Sequence, residues 1–215
     1  MKELEIKGKI YKIPEKWEEI TLKQFKEISK HLDEKSEIRF MVSMLSIVSK
    51  PQINEDIIKK FSKSSLDETS KHLMFLLEKA PEVKLKDRIE INGTIFAPHP
   101  NLDELTVGEF VDLEFALKDN ENRLNNTDKI VSIVCREVDK EYEEYGNKKY
   151  TLVEYDSDLA RGRADLFLNN MAITDVFSIL SFFFASGTKY SMSIENYLKV
   201  MKKKVQESLE KAGDG

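Results

Sequence analysis

A chain of 215 residues, 40% of them hydrophobic, is long enough to bury one good core or two small ones, so globular folding is the default. The formal net charge of -5 arises from interleaved acids and bases, which argues against a wholesale nucleic-acid-binding surface and against a disordered acidic tail. The single cysteine, Cys135, excludes an internal disulfide or a thiolate cluster, and its place in the apolar run 130–135 predicts a buried core thiol on a helix.

Met1-Lys2-Glu3-Leu4-Glu5 is charged and no apolar stretch of the secretory kind follows, which predicts a protein kept in the cytoplasm of the cell that makes it. The first predicted element is a β-hairpin: Leu4-Glu5-Ile6 and Lys9-Ile10-Tyr11 flank Lys7-Gly8, and Pro14 then ends the pairing. Thr21-Leu22-Lys23-Gln24 opens a helix through a capping box, in which the threonine oxygen accepts the N3 amide and the N3 side chain returns to the cap amide. Ile20, one residue before the cap, is placed to staple onto Phe25. Residues 38–48, 54–61 and 66–77 carry apolar side chains at spacings near three and four, as helices packed on one side require.

At Ile89 the same grammar restarts. Residues 4–28 match residues 89–113 without gaps at an offset of 85, and Glu5, Ile6, Gly8, Ile10, Thr21 and Phe25 recur as Glu90, Ile91, Gly93, Ile95, Thr106 and Phe110. Asn92-Gly93 is the stronger turn of the two, because a type I′ turn needs positive φ at both central residues. Thr106-Val107-Gly108-Glu109 repeats the capping box, and Thr106→Ala is expected to cost about 1 kcal/mol. Helices are expected over 126–138, 159–168 and 173–185. Between the first two lies an insertion in which Gly146-Asn147 turns a small hairpin and residues 150–155 form one strand.

The most apolar stretch, residues 176–187, is well short of the roughly 20 residues a membrane-spanning helix needs and reads as a core helix. A last helix over 191–211 sets Ile194, Leu198, Met201, Val205 and Leu209 in a narrow stripe. Its other face carries Lys199, Lys202, Lys203 and Lys204, diluted by Glu195, Glu207 and Glu210, as a solvated face would be.

Chemistry is sparse. His31, His72 and His99 are far apart and begin no zinc pattern, so each is expected at a surface or a helix end. No GxxxxGK[ST], GxGxxG or GxSxG motif is present, which removes the usual vehicles of nucleotide binding and of serine catalysis. Asp156 and Asp158, followed by Arg161, could share a divalent metal through hard oxygens. The competing reading is a helix start, with Ser157 or Asp158 as the cap and the arginines pairing within the next turn. Tyr142, Tyr145, Tyr150 and Tyr155 are not spaced as a stacking platform for nucleic acid; in an exposed insertion they suit a protein contact.

The stretch Ile13-Pro14-Glu15-Lys16-Trp17-Glu18-Glu19-Ile20-Thr21-Leu22-Lys23-Gln24-Phe25 resembles an "IPxxWxxITLxQF" opening of small late-module structural or assembly proteins of tailed bacteriophages, particularly those of Bacteroides-like hosts. Residues 105–113 look like the same kind of element. The resemblance covers these two windows and implies a virion component or assembly factor, in the tail or at the head-to-tail connector, acting in many copies without catalysis or cofactor. Its implied partners are other virion proteins and itself, with no membrane, nucleic acid or small-molecule substrate, first in the host cytoplasm and then in the virion. A tail assembly chaperone absent from the finished particle is one alternative, and a metal-dependent enzyme using Asp156 and Asp158 is another.

The sequence therefore predicts an α+β, mostly helical protein. Its two hairpin-plus-helices units span 1–85 and 86–189, with an insertion at 140–157 and a C-terminal helix and tail over 190–215. Candidate partner contacts are Tyr142, Tyr145, Tyr150 and Tyr155 of the insertion and Leu198, Met201 and Val205 of the last helix.

Overall fold

A computed structural model of the chain describes residues 1–186 apart from 79, 80, 82, 85 and 119–123. The expected C-terminal helix, with Leu198, Met201 and Val205, lies outside the described residues. The fold is α+β: among the described residues there are eight α-helices and two antiparallel sheets, one of two strands and one of four. The described chain forms two compact units, lying within Met1–Glu82 and Val83–Ser191.

The first unit opens with β1 (Lys2–Ile6) and β2 (Lys9–Ile13), paired so that Leu4 faces Tyr11 and Glu5 faces Ile10. Lys7 and Gly8 both take positive φ, 51° and 75°, as a type I′ turn demands. A single 3-10 turn, Trp17–Glu19, leads into α1 (Leu22–Ser29). The capping box is complete, the Gln24 amide donating to Thr21 Oγ1 at 3.3 Å and the Thr21 amide to Gln24 Oε1 at 3.0 Å. Then follow α2 (Glu37–Val48), α3 (Glu55–Ile58) and α4 (Lys63–Lys71), each begun by a side-chain cap from Ser36, Asn54 and Ser62. The helix expected over 66–77 is two pieces: α4 ends at Lys71 and a separate 3-10 turn, Met74–Leu77, follows. Ile13, Ile20, Leu22, Leu45, Val48 and Ile53 form a core at 1% exposure or less.

The second unit repeats this order at the same offset. Strands β3 (Ile89–Ile91) and β4 (Thr94–Pro98) pair Ile89 with Phe96 and Glu90 with Ile95, the register of the first hairpin moved by 85 residues. Asn92 and Gly93 take φ of 53° and 83°. A 3-10 turn at Leu102–Glu104 and α5 (Val107–Leu117) again fall at that offset, with the Thr106/Glu109 capping box complete. Next come α6 (Thr127–Val134), β5 (Cys135–Glu144), β6 (Asn147–Leu152), α7 (Ser157–Asn170) and α8 (Ile173–Ser186).

Three expectations are corrected here. The helix expected over 126–138 stops at Val134, and the chain passes directly into a ten-residue strand that begins at Cys135. Cys135 is buried as expected, but on a strand. The additional hairpin is no small appendage, because β5 pairs with β4 and completes a four-stranded sheet in the order β3-β4-β5-β6. Its turn is Tyr145-Gly146, with φ of 51° and 75°, and its second strand runs from Asn147 to Leu152. Gly is thus the second central residue in all three hairpins.

The insertion has a counterpart in miniature. In the first unit, Lys12 and Lys50 exchange both backbone hydrogen bonds, at 2.7 and 2.9 Å, in an isolated bridge just after α2. In the second, Ala97 pairs with Arg136 just after α6. Pro51, whose ring fixes φ and disfavours a continuing strand, follows Lys50, whereas Glu137, free to stay extended, follows Arg136. One strand therefore dies after a single bridge and the other grows into β5.

Candidate interaction surface

α5 is apolar on both sides. Its inner side buries Leu113, Ala116 and the Glu109 side chain. Its outer side presents Val107 (82% exposed), Phe110, Val111 and Phe115 (76% exposed). Spacings of three and four put these four on one stripe; Glu114 lies within it and Asp112 along its edge. Lys118, the C-cap residue, lies 5.9 Å from the Phe115 ring centroid.

The first unit closes the equivalent face. Leu22 and Phe25 stand where Val107 and Phe110 stand, and both are buried. Trp17 meets Phe25 edge-on at 6.2 Å and Phe75 at 5.7 Å, so Trp17 packs on the start of α1 and is itself backed by an aromatic side chain from the second 3-10 turn. In the second unit Leu102 replaces Trp17, and Val111 and Phe115 replace Lys26 and Lys30. The staple expected in both copies is thus buried in the first, with Ile20 and Phe25, while Leu105 is only half-buried and Phe110 is exposed in the second.

Beneath the stripe the helix is anchored by charge. Glu109 is fully buried, accepts the Thr106 amide at 2.8 Å and lies 3.4 Å from an Arg136 guanidinium nitrogen. Arg136 also donates to the Val153 carbonyl at 3.1 Å, and Arg163 donates to the Ser132 carbonyl at 3.2 Å. Burial, reinforced by the Arg136 charge, holds the Arg163 pKa below its ordinary value. Gln24 does the same job by another route, since its side-chain amide donates to the Ile47 and Val48 carbonyls at 3.3 and 3.0 Å. A carboxylate cannot donate, so the second unit sets the Arg136 guanidinium against its Glu109 instead.

Three expected site groups fall into place nearby. Tyr155 and Ser157 both donate hydroxyl protons to Asp112 Oδ2 at 2.6 Å, tying α5 to the start of α7. The Ser157 and Tyr155 hydrogen bonds hold the Asp112 carboxyl below its ordinary pKa, while burial and the Asp112 bond push the Tyr155 phenol up to about 12. The N-cap of α7 is Asp156, not Ser157 or Asp158: its Oδ1 accepts the Asp158 and Leu159 amides at 2.8 and 2.9 Å. Asp158 pairs with Arg161 at 2.8 Å. Both carboxylates proposed as metal ligands are therefore engaged in starting a helix, and no cluster of three or more His, Cys, Asp or Glu suited to a metal occurs among the described residues.

The four insertion tyrosines do not act together. Tyr150 donates to the Pro98 carbonyl at 2.9 Å beneath the Arg88 guanidinium, and Tyr155 is the latch on Asp112 with its ring beside Gly108. Only Tyr142, 46% exposed, and Tyr145, 95% exposed at the turn, remain available to a partner.

His31 and His72 lie at helix ends, His72 3.2 Å from Glu15. His99 does not meet the surface expectation. It is buried, its amide donates to the Val134 carbonyl at 2.7 Å, and its Nδ1 accepts the Asn101 amide at 3.3 Å. Burial, with the Arg136 charge, lowers its pKa.

The α5 stripe escaped sequence reading, although a helix apolar on both faces is itself a signal of a second contact. No helix of the described residues is long and apolar enough to cross a membrane. No protein-family model matches the chain, and no curated protein and no solved structure matches it either.

Proposed function

We propose that this chain is a non-catalytic assembly protein of a tailed bacteriophage, working through protein–protein contacts in the tail or the head-to-tail connector. The observation that carries the contact role is the exposed Val107/Val111/Phe115 stripe on α5, held on a helix anchored from below. Large apolar side chains aligned on an anchored helix, two of them at positions where the equivalent helix carries lysines, are what a docking face requires. The phage context comes from the resemblance of residues 13–25 to the late-module opening. Asp156 and Asp158 serve a helix cap and an ion pair, which supports the helix-start reading of these residues over the metal-site one.

The test is the composition of purified particles made with Val111→Glu/Phe115→Glu in place of the wild type. Mass spectrometry is expected to find the wild-type chain in stoichiometric amount and the variant depleted. A wild-type chain absent from particles that nonetheless require it for tail formation would assign it to the chaperone class. Particles assembled normally without the chain would overturn both readings.

A further inference from the structure

The first unit indicates what belongs on the α5 face. There, Phe25 of the equivalent helix is buried against Trp17, which in turn meets Phe75, so apolar side chains from outside the helix occupy the matching place. The second unit keeps Val107, Val111 and Phe115 open, with Glu114 inside the stripe and Asp112 beside it; no basic residue occurs within α5, and the C-cap Lys118 lies over the Phe115 ring at one end of the stripe. Two such faces meeting each other would set like charges together in a drying contact, which disfavours symmetric pairing. The complementary surface is apolar with a basic flank.

The chain carries one. At helical spacing, residues 191–211 set Leu198, Met201 and Val205 in one stripe with Lys202 and Lys204 at its edges and Lys199 and Lys203 on the other side. Its acids, Glu195, Glu207 and Glu210, lie toward the two ends of this segment, leaving the middle basic in a chain whose net charge is -5. We infer that the α5 face of one copy receives the segment 191–211 of a second copy. This deepens the assembly reading and rests on the α5 face being a docking surface. Face and segment are different parts of the sequence, so a contact between them joins unlike sites of two copies. Such a heterologous contact propagates head to tail and closes as a ring or continues as a filament, the form of association that a tail or connector component needs.

Sedimentation of the full chain over a range of concentrations tests it, with complementation between two variants as the deciding arm. Wild type is expected to self-associate. Phe115→Glu, which alters only the face, and Leu198→Glu/Met201→Glu, which alters only the segment, are each expected to weaken association at least about tenfold. Mixed in equal amounts, the two variants are expected to form a one-to-one dimer that grows no further, because one intact segment meets one intact face. Lys202→Glu/Lys204→Glu repeats the segment arm by charge alone, and circular dichroism checks that every variant remains folded. Any one of three results overturns the proposal: a monomeric wild type at all concentrations, a dimer lost with Phe115→Glu but kept in both segment variants, or variants that fail to complement. A monomeric wild type that is still incorporated in particles through its α5 face would overturn self-docking alone and leave the assembly reading in place.

Discussion

Gln24 and Glu109 hold the same position in two versions of one capping box, yet neither can replace the other. Gln24→Glu would remove the donors that reach the Ile47 and Val48 carbonyls and set a buried charge against them, at a cost of about 2–3 kcal/mol. Glu109→Gln would leave Arg136 buried without its counter-charge, at a cost of about 3 kcal/mol. Urea unfolding of the two swaps checks this, and unchanged midpoints would show that neither network matters. The Asp112 latch gives a pH signature. Its folded pKa lies below the ordinary carboxylate value, so its contribution is complete above that value and is lost as pH falls through the folded one. Tyr155, raised from 10.0 to about 12, adds a loss on the alkaline side as pH rises through that window. Asp112→Ala is expected to lower stability by about 1–2 kcal/mol at neutral pH, after screening, and to flatten the acid limb of a plot of unfolding midpoint against pH.

At the level of elements, most of what was legible in the sequence was local. Both hairpins of the repeat, both capping boxes and the helix bounds at Val48 and near Ile173 follow from turn residues, caps and periodicity that neighbours in sequence decide. The junction at Val134–Cys135 was hidden because the apolar run through Val138 satisfies a helix and a buried strand equally, and no glycine or proline marks the change. Tyr145 does not announce a turn, because an aromatic side chain seldom takes φ near 51°, and Gly146-Asn147 therefore reads as the turn one position too late. The site was less legible than the fold. Glu109–Arg136 and Tyr155–Asp112 join residues 27 and 43 positions apart, distances over which composition and spacing carry no information. The division of the insertion into latch and tip predicts unequal effects: Tyr155→Phe is expected to cost about 1 kcal/mol and Tyr145→Ala less than about 0.5 kcal/mol in thermal unfolding.

Over the whole molecule, the repeated order of elements implies two cores that are each complete in kind. Ile13, Ile20, Leu22, Leu45, Ile53 and Leu73 are buried and all belong to the first compact unit, so the fragment 1–82 is expected to unfold cooperatively by itself, although a domain of that size is marginal. A broad, sloping loss of helical signal in the isolated fragment would count against that expectation. The units differ where the repeat was altered. The first spends its aromatic side chains on closing its own helix face, while the second leaves that face open and lengthens one bridge into two strands.

The bridge that ends at Pro51 has a further consequence, for solubility. In the second unit β5 fills the outer edge of β4, whereas β2 is left with Lys12–Lys50 as its only pairing beyond β1 among the described residues. An incompletely paired strand is a template for stacking with other chains, most of all while a nascent polypeptide has yet to complete α2. Lys2, Lys9 and Lys12 stand exposed along this two-stranded ribbon, where the desolvation of each ammonium group would oppose fibril-like growth. The lysines that look like ordinary surface charge thus act as gatekeepers, keeping any ordered polymer of this chain from being built through the wrong edge.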